Sequence, residues 1–244
     1  TEAQILGEPV GKNTAPCIAY ATYRLQQLNP EATCIIAPSD HLITQENAFQ
    51  ETALKALEFA SENDALVTLG IKPSRPDTGY GYIQFNPEQH ETGIHSVKTF
   101  TEKPTEEIAK TFIESKEFLW NAGIFAWNLK TISSRFEKNL PEIHQLFSEI
   151  DYNDSQASNQ LERAYGESPS ISIDYGIMEK EENVFVLPAN FGWSDLGTWK
   201  SLWEVSSKDE SNNSVISKNV RYYESKENLV YSPNGKLVVI SGVE

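Results

Sequence analysis

Between residues 14 and 28 the apolar side chains Ile18, Ala21, Leu25 and Leu28 recur three to four positions apart, which predicts a helix with Thr14 as candidate N-cap and Pro16 in its first turn. The β-branched run 33–37 reads as a strand that stops at Pro38-Ser39-Asp40-His41. A second helix follows, with Phe49, Ala53, Leu57 and Ala60 on one face and Glu51, Lys55, Glu58 and Glu62 off it. Residues 65–70 suit a strand, and Pro73 and Pro76 then impose a loop before the strand-like run 80–85. The same alternation predicts a strand over 94–100, a helix over 105–115, a strand over 122–127, helices near 130–138 and 142–150, a strand over 183–188 and a helix over 199–205. Residues 151–159 are polar throughout and read as a surface loop.

Strands interleaved with helices imply an α/β fold, a three-layer sandwich around a mostly parallel mixed sheet whose ligands sit at the carboxyl ends of the strands. The tail differs. Residues 206–214 read as a linker, and 228–231 with 236–240 as a hairpin around Asn234-Gly235 that opens a β-domain. The expected division is therefore 1–205 and 206–244.

Composition narrows the function. The 244 residues carry a net charge of −15, which disfavours nonspecific binding to nucleic acid or an anionic membrane. No apolar run is long enough for a membrane span and the first residues do not form a signal peptide, so the chain reads as cytoplasmic. Cys17 and Cys34 lie in apolar stretches and are expected to be buried, inert thiols. His41, His90, His95 and His144 show no zinc spacing.

The candidate chemistry lies in loops that follow strands, because neither a GxxxxGK[ST] loop nor a GxGxxG loop is present. Asp40 and Asp195 each present a carboxylate after a strand, where, taken alone, each reads more readily as a helix N-cap or turn residue than as one of the one or two carboxylate ligands that Mg²⁺ takes beside substrate phosphates. Glu102 and Lys103 close a strand side by side; strand alternation would point them apart, one toward a sugar hydroxyl and the other toward a phosphate. Gly79 and Gly81 would let backbone approach a ligand or mark a bulge. Asn121 is either a buried polar group or a ligand of a sugar hydroxyl.

These loops occur in order: residues 8–16 (EPVGKNTAP), 38–41 (PSDH), 78–83 (TGYGYI), 100–104 (FTEKP), 120–123 (WNAG), 172–180 (SIDYGIMEK) and 192–199 (GWSDLGTW). Together they resemble the mannose-1-phosphate guanylyltransferase branch of the nucleotidyltransferases that make nucleotide sugars, from about residue 5 to the C-terminus. The resemblance implies attack of mannose 1-phosphate on the α-phosphorus of GTP, with Mg²⁺, giving GDP-mannose and pyrophosphate. It also implies roles: Asp40 and Asp195 for the metal, Lys103 for the sugar phosphate, Glu102 and Asn121 for mannose hydroxyls, and Gly81 for backbone contact with the sugar. Glu8, Asn13 and Thr14 would line the guanine pocket, and Asp174 would be structural.

The family's Gly-rich loop with its Arg and Lys has no counterpart in this sequence. The expectation is a chain that begins inside the nucleotide half and does not make GDP-mannose alone. Self-association through an exposed edge stays open, as do a transferase for another hexose 1-phosphate and a non-catalytic sugar-phosphate or partner-binding remnant.

Overall fold

Phe118–Asn128 is the longest strand among the described residues, and the main sheet is organised around it. The computed structural model describes residues 4–87, 93–214 and 216–244, so His90 lies outside the described residues. The helices are α1 (Thr14–Leu28), α2 (Glu46–Glu62), α3 (Glu106–Ser115), α4 (Leu129–Asn139), α5 (Pro141–Ser148), α6 (Ala157–Glu167) and α7 (Trp199–Val205), with a π-helical turn at Asp174–Met178. The strands are β1 (Thr33–Ile36), β2 (Leu42–Ile43), β3 (Leu66–Ile71), β4 (Tyr82–Phe85), β5 (His95–Thr101), β6 (Phe118–Asn128), β7 (Val184–Ala189), β8 (Trp193–Ser194), β9 (Val220–Tyr223) and β10 (Val238–Ser241).

The chain divides into two units, one up to Pro38 and from Glu46 to Phe191, the other Ser39–Gln45 with Gly192–Glu244. The division after Phe191 falls earlier than the boundary at 205/206 suggested by composition.

In the first unit β6 gives one edge to β3; its other edge serves β4 at the start of the strand and β1 at the end. The ladders β3–β7, β7–β5 and β5–β4 then return to β6, so five strands close a ring. The sheet is mixed, as expected, but not mostly parallel: β3–β7 is the one parallel ladder of the six described. Four strands do run the same way, yet β6 and β5 lie between them in the opposite sense. An alternation of strands and helices along the chain does not reveal that insertion.

Alternate side chains serve opposite faces of the sheet. Phe125, Trp127, Leu66 and Val184 join α1, α4 and α5 in one core through Ile18, Tyr23, Ile132, Phe136, Ile143 and Phe147. On the other face Phe185 meets Phe59 of α2, ring centroids 5.2 Å apart. α1 runs over the residues its spacing suggests, but its cap is Asn13, which at φ 68° accepts the Thr14 N–H, while Thr14 is already helical.

In the second unit the expected hairpin does not form. The turn is present, with Gly235 at φ 65° donating to the Ser232 carbonyl, but β10 pairs in parallel with β9, Val238 opposite Val220. Residues 228–231 are held elsewhere, because the buried Asn213 amide oxygen accepts both the backbone N–H and the side-chain amide of Asn228. Residues 206–214 are likewise no free linker: the Asp209 carboxylate accepts the N–H groups of Ser211 and Asn213.

Gly70 sits at a register shift of β3 where a Cβ would come 2.6 Å from Val186 Cγ2 and 2.7 Å from Leu119 Cδ1, inside the ring of strands. Gly70→Ala is expected to destabilise the protein by about 1–3 kcal/mol through overpacking. Urea unfolding measures it, and an unchanged midpoint would show that the ring relaxes around the methyl group.

Candidate functional site

β5 ends at Thr101, and the next two residues depart from strand geometry. Lys103 adopts φ 46°, its N–H donating to the Tyr80 carbonyl at 3.3 Å, so the alternation expected for Glu102 and Lys103 is broken. The two side chains turn to the same side, with Lys103 Nζ 3.9 Å from Glu102 Oε1; the lysine side chain is 64% exposed and the glutamate 19%. Gly81, one residue before β4, faces this carboxylate, and any Cβ there would collide with Glu102 Oε2. The glycine makes room for the glutamate.

Asn121 of β6 completes the group. Its Oδ1 accepts the Thr68 hydroxyl at 3.2 Å and the Gly123 N–H at 3.1 Å, and its Nδ2 donates to Asp174 Oδ1 at 2.8 Å. Its backbone N–H donates to the Gly81 carbonyl at 2.8 Å. Asp174 opens the π-helical turn, which the Thr14 hydroxyl anchors by accepting the Ile173 N–H at 2.8 Å.

Burial and then the charge of Asp174 push the Glu102 carboxyl above its usual range, against the pull of Lys103. Burial likewise raises Asp174, although the Asn121 bond opposes it, and burial with the Asp174 charge raises Glu179. The cluster thus combines partly desolvated carboxylates with one exposed ammonium, suited to a ligand carrying hydroxyl donors and an anionic group.

In the second unit β2 and β8 form a two-rung antiparallel ladder, Leu42 opposite Ser194 and Ile43 opposite Trp193. Continuing its register puts His41 opposite Asp195 and brings Asp40 to the same end. Trp193 Nε1 donates to His41 Nδ1 at 3.1 Å. Burial lowers the His41 imidazole, opposed by the Asp40 and Asp195 carboxylates. The pair offers two hard carboxylates, and among the described residues no group of three or more His, Cys, Asp or Glu could hold a metal. Two carboxylates would suffice only for a cation that takes the rest of its shell from water and phosphate oxygens.

Asn13 and Thr14 stand at the start of α1, whereas Glu8 lies near Cys17 and Tyr165. Asn13 and Thr14 use their oxygens in the cap and in the Ile173 bond, and Lys12 Nζ donates to the Ser168 carbonyl at 3.0 Å. Cys17 is exposed where a buried thiol is expected, yet partial desolvation of the sulfur, with the nearby Glu8 carboxylate, pushes its pKa up to about 11. Thr14 thus has a role that its position in the sequence did not suggest, in fixing the turn that carries Asp174.

A mixed α/β sheet with these loops defines a nucleotidyltransferase, and the chain belongs to that family: residues 1–212 match the family described as Nucleotidyl transferase, whose members generally use a divalent metal. Among its relatives, the alginate biosynthesis protein AlgA of Pseudomonas aeruginosa is 36% identical over 244 residues, covering 98% of this chain and 50% of the relative. A mannose-1-phosphate guanylyltransferase of Escherichia coli is 34% identical over 248 residues, covering 98% of this chain and 53% of the relative. The chain spans about half the length of the curated relatives it matches. Of solved structures, a mannose-1-phosphate geranyltransferase from Thermus thermophilus superposes with TM-score 0.84 at 32% identity, covering 98% of this chain and 68% of that one. Among the described residues no helix is long and apolar enough to cross a membrane.

The raised carboxyls have a consequence for stability. A carboxyl whose folded pKa lies above its unfolded value binds more protons when folded, so stability falls as pH rises through the window between the two values. Asp174→Asn removes one such group and can keep the Asn121 bond. The variant is expected to gain stability relative to wild type at pH 7 and to lose that advantage as the pH falls toward the ordinary carboxylate range. Denaturant unfolding at several pH values checks this, and parallel stability curves would contradict it.

Proposed function

We propose that the protein transfers GMP from GTP to mannose 1-phosphate, giving GDP-mannose and pyrophosphate. The observation that carries this reading is the Glu102 carboxylate, mostly buried and, among the described residues, accepting no hydrogen bond. With a side chain 19% exposed, the carboxylate stays open to an incoming donor. Sugar hydroxyls are such donors, and a hydrogen bond to a charged acceptor is stronger than one between neutral groups. Asn121 has a second amide N–H for the same ligand, the Gly81 backbone lies alongside, and Lys103 suits the phosphate as a charge-assisted partner. The names of relatives, mannose-1-phosphate guanylyltransferase among them, support the choice of sugar and nucleotide.

In the proposed reaction an oxygen of the sugar phosphate attacks the α-phosphorus of GTP. The bond from that phosphorus to the oxygen bridging the α- and β-phosphates breaks, and pyrophosphate leaves with the electron pair. Such a transfer depends on alignment and charge neutralisation more than on a protein nucleophile. Lys103 orients the attacking phosphate, while Glu102 and Asn121 fix the ring. Asp174 holds the Asn121 amide in place. Asp40 and Asp195 would hold the divalent cation, proposed to be Mg²⁺, which when bound neutralises phosphate charge. Glu8, Asn13 and Thr14 are proposed for the guanine, with the Asn13 amide N–H groups and the Thr14 hydroxyl proton as the available donors. Acidity and chemistry fit a cytoplasmic enzyme that binds neither nucleic acid nor membrane.

Because the Lys103 ammonium is exposed, its loss should cost less than that of a buried pair. Lys103→Met is expected to raise the KM for mannose 1-phosphate about ten- to hundredfold, equivalent to about 1.5–3 kcal/mol, and to leave the KM for GTP nearly unchanged. Asp40→Ala and Asp195→Ala should each lower metal-dependent turnover by orders of magnitude without unfolding the protein. Pyrophosphate release in the full-length protein measures both effects, and near-normal turnover in either aspartate variant would remove that residue from the metal site.

A further inference from the structure

The loop between β3 and β4, residues 72–81 (KPSRPDTGYG), carries a cation that the proposed chemistry leaves unused. Arg75 Nε and Nη2 both donate to one oxygen of Asp77, at 3.0 and 2.8 Å, and the other oxygen of Asp77 accepts the Gly79 N–H at 2.8 Å. The arginine and aspartate side chains are only 18% and 20% exposed. The guanidinium carbon lies 5.3 Å from the Trp120 ring centroid and 5.9 Å from that of Tyr80, and the two rings meet edge to face at 5.0 Å. Tyr82 closes the loop from β4 by donating its hydroxyl to the Asp77 carbonyl at 2.9 Å.

What this bracket holds is the sugar cluster on both sides. Tyr80 precedes Gly81, and its carbonyl accepts the Lys103 N–H at 3.3 Å where Lys103 takes its left-handed conformation. Trp120 precedes Asn121, whose N–H is bound by the Gly81 carbonyl. A planar cation gripping a carboxylate while resting against aromatic rings does what neither a lysine nor an apolar filler can do in full.

We propose that Arg75 is a positioning residue for the sugar-phosphate subsite, acting through Tyr80 on Lys103 and through Trp120 on Asn121. This rests on the proposed sugar-phosphate chemistry of that cluster.

The test uses the full-length protein, with pyrophosphate release followed against mannose 1-phosphate and GTP, and thermal unfolding to check each variant's fold. Arg75→Met is expected to raise the KM for mannose 1-phosphate about tenfold or more, with the KM for GTP within about twofold of wild type. Arg75→Lys, which keeps the cation over the rings but loses the fork, should fall between wild type and Arg75→Met. Asp77→Asn should shift the same KM in the same direction by less, and these two milder variants carry the test if Arg75→Met does not fold. Equal shifts for both substrates, or lowered stability with neither KM changed, would overturn the role of Arg75 alone. A wild-type protein that releases no pyrophosphate with mannose 1-phosphate would overturn the underlying reading and the inference with it.

Discussion

The side-chain amide of Asn121 ties together the segments on which the sugar cluster depends. Thr68 and Gly123 both donate to its oxygen, which fixes the orientation of the amide and aims its nitrogen at Asp174. Through its backbone N–H the same residue holds the loop before β4 at Gly81, where glycine leaves room for the Glu102 carboxylate. A strand residue that is saturated on one side and retains a donor on the other can be rigid and still bind. The long strand β6 places it there by pairing with β3 along one edge and with β4 and β1 along the other.

The electrostatics follow from that arrangement. An acidic chain, net −15, gathers Glu102, Asp174 and Glu179 where burial raises all three carboxyls and Lys103 is the nearby cation opposing two of those shifts. Such a cluster costs stability at neutral pH. The fold tolerates it because the ring of strands and the core beneath α1, α4 and α5 are built from apolar side chains that carry the stability elsewhere. Binding sites commonly concentrate polar groups whose partners arrive with the ligand.

Much of this is legible in the sequence. The spacing of Ile18, Ala21, Leu25 and Leu28 locates α1 but not its cap or its buried face, since Asn13 is the cap, Leu25 and Leu28 are exposed and Ala15, Ala19 and Tyr23 turn inward with Ile18, whereas the apolar and charged faces of 49–62 locate α2. What the sequence hides is what depends on distant partners. Strand direction in the sheet is set by the insertion of β6 and β5, and the pairing of β10 is set by Asn213 drawing Asn228 away from a hairpin. The start of α6 passes for the end of a polar loop because that helix buries only Ala164 and Tyr165. At the candidate site, Gly81, Glu102, Lys103 and Asn121 are brought together, as are Asp40 and Asp195. The departure of Glu102 and Lys103 from strand alternation depends on the positive φ of Lys103, which no pattern of apolar residues encodes.

The most direct measurement is a crystal structure of the protein with mannose 1-phosphate. Sugar hydroxyls are expected within hydrogen-bond distance of the Glu102 carboxylate and the free Asn121 amide N–H, with a phosphate oxygen at Lys103 Nζ. Sugar density in the cavity of about 340 Å³ between α5 and α6, lined by Glu149, Arg163 and Glu167, with none at Glu102, would contradict that placement.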